Sequence, residues 1–147
     1  MRERIPADTH SKFIGYLTWL TGFFGSHRFY YGRPITGTIW ACSLGLLGVG
    51  WLFDFFLIPR MDRSCDRRFA SGRLNYNVAW LLLALGGVLG LHRFYMGKWL
   101  TGLLYLCSLG LLGLGWLYDL WTLNSQISEQ NFYEPPARRR RNPGLYA

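Results

Sequence analysis

Two short words in the sequence carry groups that could do chemistry. "GSHRFYYG" (25–32) sets His27 beside Arg28 in an apolar, aromatic run, and "GLHRFYMG" (90–97) sets His92 beside Arg93. A guanidinium offers a planar fork of donors to a carboxylate or phosphate, and an imidazole can carry a proton near neutral pH. Asp54 and Asp119 are the acidic residues of the same apolar stretches. Each repeat has one histidine and no carboxylate near it in sequence, so acid–base catalysis is not expected and the chain does not read as an enzyme.

Two readings of the His-Arg pairs stay open. In the local one, each pair ends a helix that Gly32 or Gly97 terminates in a left-handed conformation, with positive side chains against the helix's negative end. The arginine stems then snorkel to the headgroups, and Phe29, Tyr30 and Tyr31 anchor the interface. In the other, His27, Arg28 and Tyr30, and equally His92, Arg93 and Tyr95, meet the free amides of the next helix, which starts near Pro34 in the first copy. Together they receive a lipid phosphate or a partner's carboxylate.

These words belong to a longer duplication. Residues 25–54 align with 90–119 without a gap, through Thr36/Thr101 and Gly37/Gly102 to "CSLGLLGVGWLFD" (42–54) against "CSLGLLGLGWLYD" (107–119). Two copies make a tandem repeat, not a solenoid. Half of the 147 residues are hydrophobic, 18% are aromatic and 16% charged, and the charges are confined to the flanks and one linker. A soluble domain spreads charge along every element, so this segregation predicts a membrane protein.

Each unit holds two apolar segments, 13–31 and 34–58, then 77–96 and 99–123. At about 1.5 Å per residue each is long enough for roughly 30 Å of hydrocarbon. The expected fold is an all-α integral membrane protein with four transmembrane helices as two tandem hairpins. The predicted organisation is an N-terminal segment (1–12), a first hairpin (13–58), a basic linker (59–76), a second hairpin (77–123) and a basic disordered tail (124–147). The first segment resembles a signal peptide, but its internal counterpart at 77–96 and the lack of a small-residue cleavage pattern favour a retained helix.

The formal charge of +8 sits at Arg2, Arg4 and Lys12, at Arg60, Arg63, Arg67, Arg68 and Arg73 in the linker, and at Arg138 to Arg141. Basic flanks place both termini and the linker in the cytoplasm, with the location expected to be the inner (plasma) membrane. The "HRFY" turns would then face the other side. Aromatic and basic residues are not interleaved on a soluble face, which argues against nucleic acid. Cys42 and Cys107 read as small packing residues and Cys65 as a reduced cytoplasmic thiol. There is no metal-ligand spacing, and neither a metal nor a cofactor is expected.

A continuous second helix places Asp54 some 30 Å along its axis, at the cytoplasmic boundary beside Trp51, with Arg60 or another linker arginine as partner. The alternative is a break at "GLLGVG" (45–50) that returns Asp54 toward Arg28, or toward Arg93 of the other unit. The continuous helix is preferred, because re-entrance would put the termini and the linker on alternating sides, against the basic pattern. Gly45, Gly48, Gly50, Gly86, Gly90, Gly110, Gly113 and Gly115 then serve close helix packing.

G-x-HRFY-x-G, followed by a glycine-studded helix ending in "WLFD" or "WLYD", resembles the TM2 (TM-two) domain family, here as a tandem member. The resemblance implies a pair of transmembrane helices joined by a short turn, and it implies a location rather than an activity. The expected role is a non-enzymatic packing or assembly module whose partners are membrane lipids and either a second copy or another membrane protein. The alternative is lipid-headgroup handling or transport of ions or lipid by Arg28, Arg93, Asp54 and Asp119.

Overall fold

Glycine and leucine decide where the apolar segments bend. The structure, a computed structural model, describes residues 8–133, and these contain helices and no strand. The first segment is not one helix. Helix α1 (Lys12–Leu20) gives way to a 3₁₀ turn (Gly22–Phe24), Gly25 takes φ 70°, and a short α2 (Ser26–Tyr30) follows. The second unit repeats this with α5 (Tyr76–Gly86), Gly90 at φ 76° and α6 (Leu91–Tyr95). Gly86 ends α5 and Gly90 forms the turn, so their GxxxG step is a chain reversal, in which Gly90 also keeps a close packing role against Gly102 and Tyr105.

The second segment is also broken, which corrects the expectation of a continuous helix. Helix α3 (Pro34–Leu47) is right-handed as far as Ser43; Leu44, Gly45, Leu46, Leu47 and Gly48 then all have positive φ before α4 (Val49–Arg68) begins. Leu109 to Gly113 do the same between α7 (Trp99–Leu112) and α8 (Leu114–Tyr133), and the path bends by 118° from α7 to α8. Each leucine in that region costs roughly 1–2 kcal/mol of backbone strain. Glycine is free of it, and this is why Gly45, Gly48, Gly110 and Gly113 stand in the turns and not at a helix–helix contact. Gly50 and Gly115 keep a packing role inside their own units, since a Cβ there would strike Trp40 and Tyr105.

The turn's backbone is closed internally. Ser43 Oγ donates to Ile39 C=O and accepts Leu46 N–H at 3.1 Å, while Gly48 N–H reaches Leu44 C=O. Ser108 repeats the pattern with Leu104 and Leu111. Among the described residues no single helix is long and apolar enough to cross a membrane, though α7 and α8 pass together as a bent pair.

Helix α4 does not stop at residue 58. It runs through Pro59 to Arg68, burying Met61, Asp62 and Cys65, so the first part of the linker, 59–68, is helical. Cys65 is buried with its thiol on Tyr31 C=O, whereas Cys42 and Cys107 are exposed rather than packed. Helix α8 likewise continues through 124–133, where a disordered tail was expected; Arg138 to Arg141 and Arg2 and Arg4 lie outside the described residues.

The two units meet through buried polar groups. His10, which is 1% exposed, sits among Tyr30, Tyr31, Phe69 and Tyr76, with Thr9 and Asn124 on its two ring nitrogens. Asn124 also donates to Tyr30 C=O and accepts Trp80 Nε1–H. Farther along α8, Ser128 and Asn131 hold the chain at Ala70 and Leu74.

Two predictions follow from this frame. Gly32 and Gly97 both have positive φ, but a Cβ would collide with Phe69 at Gly32 and meet nothing within 4 Å at Gly97. Gly97→Ala should therefore cost about 1 kcal/mol of stability and Gly32→Ala clearly more, read from thermal unfolding in detergent. Burial pushes His10 down from 6.5 to about 4. A depressed base gives stability that is complete above pH 6.5 and lost as pH falls toward 4, roughly 3 kcal/mol in all. Unfolding titrations of the wild type and His10→Phe should differ by that loss; parallel curves would refute it.

Candidate functional site

The reversal at Gly25 starts α2 one residue before His27, so His27 and Arg28 leave a short helix side by side. The left-handed turn at 44–48 starts α4 five residues before Asp54 and brings that carboxylate back beside them. His27 Nε2 lies 2.7 Å from Asp54 Oδ2, Arg28 Nε donates to the same oxygen at 2.8 Å, and Arg28 Nη2 donates to Oδ1. In the second unit the distances are 2.7 Å for His92, 2.9 Å for Arg93 Nε and 2.7 Å for Arg93 Nη2, all on Asp119. Asp54, Asp119, His27 and His92 are fully buried.

This corrects the expected position of Asp54. Its partner is not Arg60 or a linker arginine; it closes on Arg28 of its own unit. The anion that Arg28 and Arg93 grip is the chain's own carboxylate. Phe29, Tyr30 and Tyr31 are buried and not spread along an interface. The glycine part of the capping expectation matches the geometry, while the His and Arg side chains turn to the aspartate and not to the helix's carbonyl end. Gly32 N–H bonds Phe29 C=O and Arg33 N–H bonds Arg28 C=O, and Gly97 and Lys98 repeat both bonds. That is the double bond of a glycine-terminated helix end.

Tyr30 and Tyr95 stand outside the triads. Tyr30 OH bonds Ser11 and Asn77, and Tyr95 OH accepts Asn75 N–H. Each ties its elbow to the chain entering α1 or α5. Sequence reasoning missed the groups that cover the arginines. Arg28 lies over the Trp40 ring at 3.6 Å, and Arg93 lies over Tyr105 at 4.1 Å while donating to its hydroxyl. Trp40 and Tyr105 are aligned aromatics of different letter, which hid the shared cation–π contact. Gln126, donating to Asp119 and accepting from Lys98 Nζ, has no such signal, because Met61 stands at its counterpart.

Chemically the triads are closed. Each carboxylate takes a two-pronged guanidinium and an imidazole, leaving no open face for a substrate. His27 Nδ1 and His92 Nδ1 have no hydrogen-bond partner and are buried, His27 Nδ1 against Gly22. Among the described residues no group of three His, Cys, Asp or Glu could hold a metal ion. The arrangement does the work of a clamp.

Removing one partner strands the other charge inside the unit. Asp54→Asn and Arg28→Met should each cost about 3–5 kcal/mol, and the double variant much less than their sum. Thermal unfolding of the four proteins in detergent measures this; additive losses would mean that the pair does not act as a unit.

Comparison with known proteins agrees with the duplication. The family model for the TM2 domain matches twice, at residues 8–56 and 72–121. A TM2 domain-containing protein of Dictyostelium discoideum is 50% identical over 40 residues, 27% of this chain and 29% of its own length. A second from that organism is 39% identical over 59 residues, 40% and 39% of the two chains. Human TM2 domain-containing protein 1 is 43% identical over 42 residues, 29% of this chain and 20% of its own. The alignments thus cover well under half the length of these relatives, and no solved structure matches. Two matched copies, each built around its own His-Arg-Asp clamp, make this chain a tandem member of the TM2 domain family of membrane proteins.

Proposed function

We propose that the chain is a non-enzymatic membrane module that packs against a partner, either a second copy or another membrane protein. One observation carries this reading: the buried His, Arg and Asp of each clamp are spent on one another, while large apolar side chains cover the outside. Phe13, Leu17, Ile35, Ile39, Phe53, Phe56, Leu100 and Leu104 are all exposed. An apolar surface of this extent marks a membrane or protein contact. The contact surface in this reading is that leucine and phenylalanine belt, since the glycines serve turns and internal packing.

Lipid or ion movement by Arg28, Arg93, Asp54 and Asp119 would need those groups open to a pathway, and the clamps close them. The exposed basic residues Lys12, Arg60, Arg63, Arg67 and Arg68 lie together at the end where chain enters and leaves the first unit, which supports seating that end on the cytoplasmic side. Multi-pass insertion with cytoplasmic termini is the placement first expected from that charge pattern.

The chain should stay with membranes through alkaline carbonate washing, and crosslinking in native membranes should trap a discrete larger species. Release by carbonate would remove the membrane assignment. A chain that remains monomeric at every crosslinker dose would remove the partner-binding one.

A further inference from the structure

Each unit turns back twice. In the first, α1 leads away from Ser11, and Trp19 stacks on Trp51 at the start of α4. The chain then returns through 22–30, because Tyr30 OH reaches Ser11, Tyr31 C=O accepts the Cys65 thiol, and Gly32 lies against Phe69. The "HRFY" elbow therefore sits beside the residues that enter and leave the unit, not at its far end. Helix α3 leads away again, the leucine turn at 44–48 reverses it, and α4 comes home. Val88 beside Gly110 places the same two reversals together at the far end of the second unit.

Both far ends point one way. Asn124 bonds Tyr30 C=O below the start of α3. Trp121, one turn nearer the leucine turn of α8, lines a groove with Ile35, Thr38, Cys42 and Ser43, which climb α3 toward its own turn. Approaching one turn is approaching the other.

The legs are short. Helix α1 and the right-handed part of α3 each rise about 15 Å at 1.5 Å per residue. The exposed face of α4 is apolar from Val49 to Leu57 and basic from Arg60 onward, again after about 15 Å. A bilayer's hydrocarbon is about 30 Å thick, so one leaflet supplies about 15 Å.

The turns themselves suit hydrocarbon. Positive φ ordinarily selects Gly, Asn or Asp, yet Leu44, Leu46, Leu47, Leu109, Leu111 and Leu112 hold it here. Leu47 is 90% and Leu112 88% exposed, so at these two positions no contact within the chain calls for a leucine. Hydrocarbon does call for it, and it forbids open backbone groups, which Ser43 and Ser108 help to close.

We infer that the protein inserts into a single leaflet. The leucine turns 44–48 and 109–113 reach the bilayer midplane, and the elbows, the linker and Lys12 stay at the anionic headgroups of the leaflet they entered. This rests on the membrane placement proposed above and changes its depth. It also keeps every basic region on one side, because two reversals per unit restore the side that one reversal would exchange. Where no partner covers the apolar belt, one layer of lipid chains surrounds it, and the opposite leaflet is untouched.

The discriminating probe is a thiol at the elbow. In a chain with Cys42, Cys65 and Cys107 replaced by Ala, Arg33→Cys marks the elbow and Arg60→Cys the linker; both are first shown to react with a maleimide in detergent. An impermeant maleimide added to intact expressing cells should leave both thiols unlabelled, and opening the membrane should label both. Labelling of Arg33→Cys from outside, while Arg60→Cys still needs the membrane opened, means two full crossings per unit and overturns the inference with the membrane assignment intact. Recovery of both variants in the soluble fraction overturns inference and assignment together.

Discussion

A carboxylate placed among apolar helices must be matched at once, and that requirement organises each unit. Asp54 cannot remain buried without Arg28 and His27, and they cannot reach it unless the chain between them reverses. Desolvating the ions costs several kcal/mol apiece, a penalty repaid only by short, well-aimed bonds. The two-pronged guanidinium supplies that geometry, and Trp40 or Tyr105 closes the remaining face. The clamp thus selects the broken path over the straight one, because a straight helix from Pro34 would leave both charges far apart. It offsets the strain of consecutive left-handed leucines as well.

Much of this was legible in the letters. The duplication, its register, the His-Arg pairs, the lone aspartates and the glycine-terminated elbow can all be read from residues 25–54 against 90–119. The path between them could not. "GLLGVG" is compatible with a close-packed membrane helix and with a turn, since glycine permits either and leucine signals only apolar surroundings. What separates the two is the Ser43 and Ser108 hydroxyls on the turn amides, and a lone serine in an apolar run gives no warning of that role. The first segment is ambiguous for the same reason, as Gly25 and Gly90 are compatible with a helix or a turn and only their positive φ separates the two.

The seam between units was hidden for a different reason. His10, Asn77, Asn124 and Asn131 hold it, and their counterparts across the duplication are Asn75, Lys12, Pro59 and Asp66. A comparison of repeats searches for agreement, so it passes over the positions where two copies had to become different in order to fit each other. Identity is concentrated where a unit closes on itself, and difference where it meets its neighbour.

That division limits how copies of the whole chain can associate. A symmetric dimer needs one patch that is complementary to itself. The polar seam is not such a patch, because its two sides carry different groups and are already joined within one molecule, with His10 and Asn124 buried on it. The clamps are closed too. What remains common to both units and open to a neighbour is the apolar belt of α3 and α7, where Ile35, Ile39, Leu100 and Leu104 face outward. An association through that belt draws on shape and dispersion more than on charge, since lipid chains are as apolar as leucine. Partner choice would then depend on how closely two belts fit.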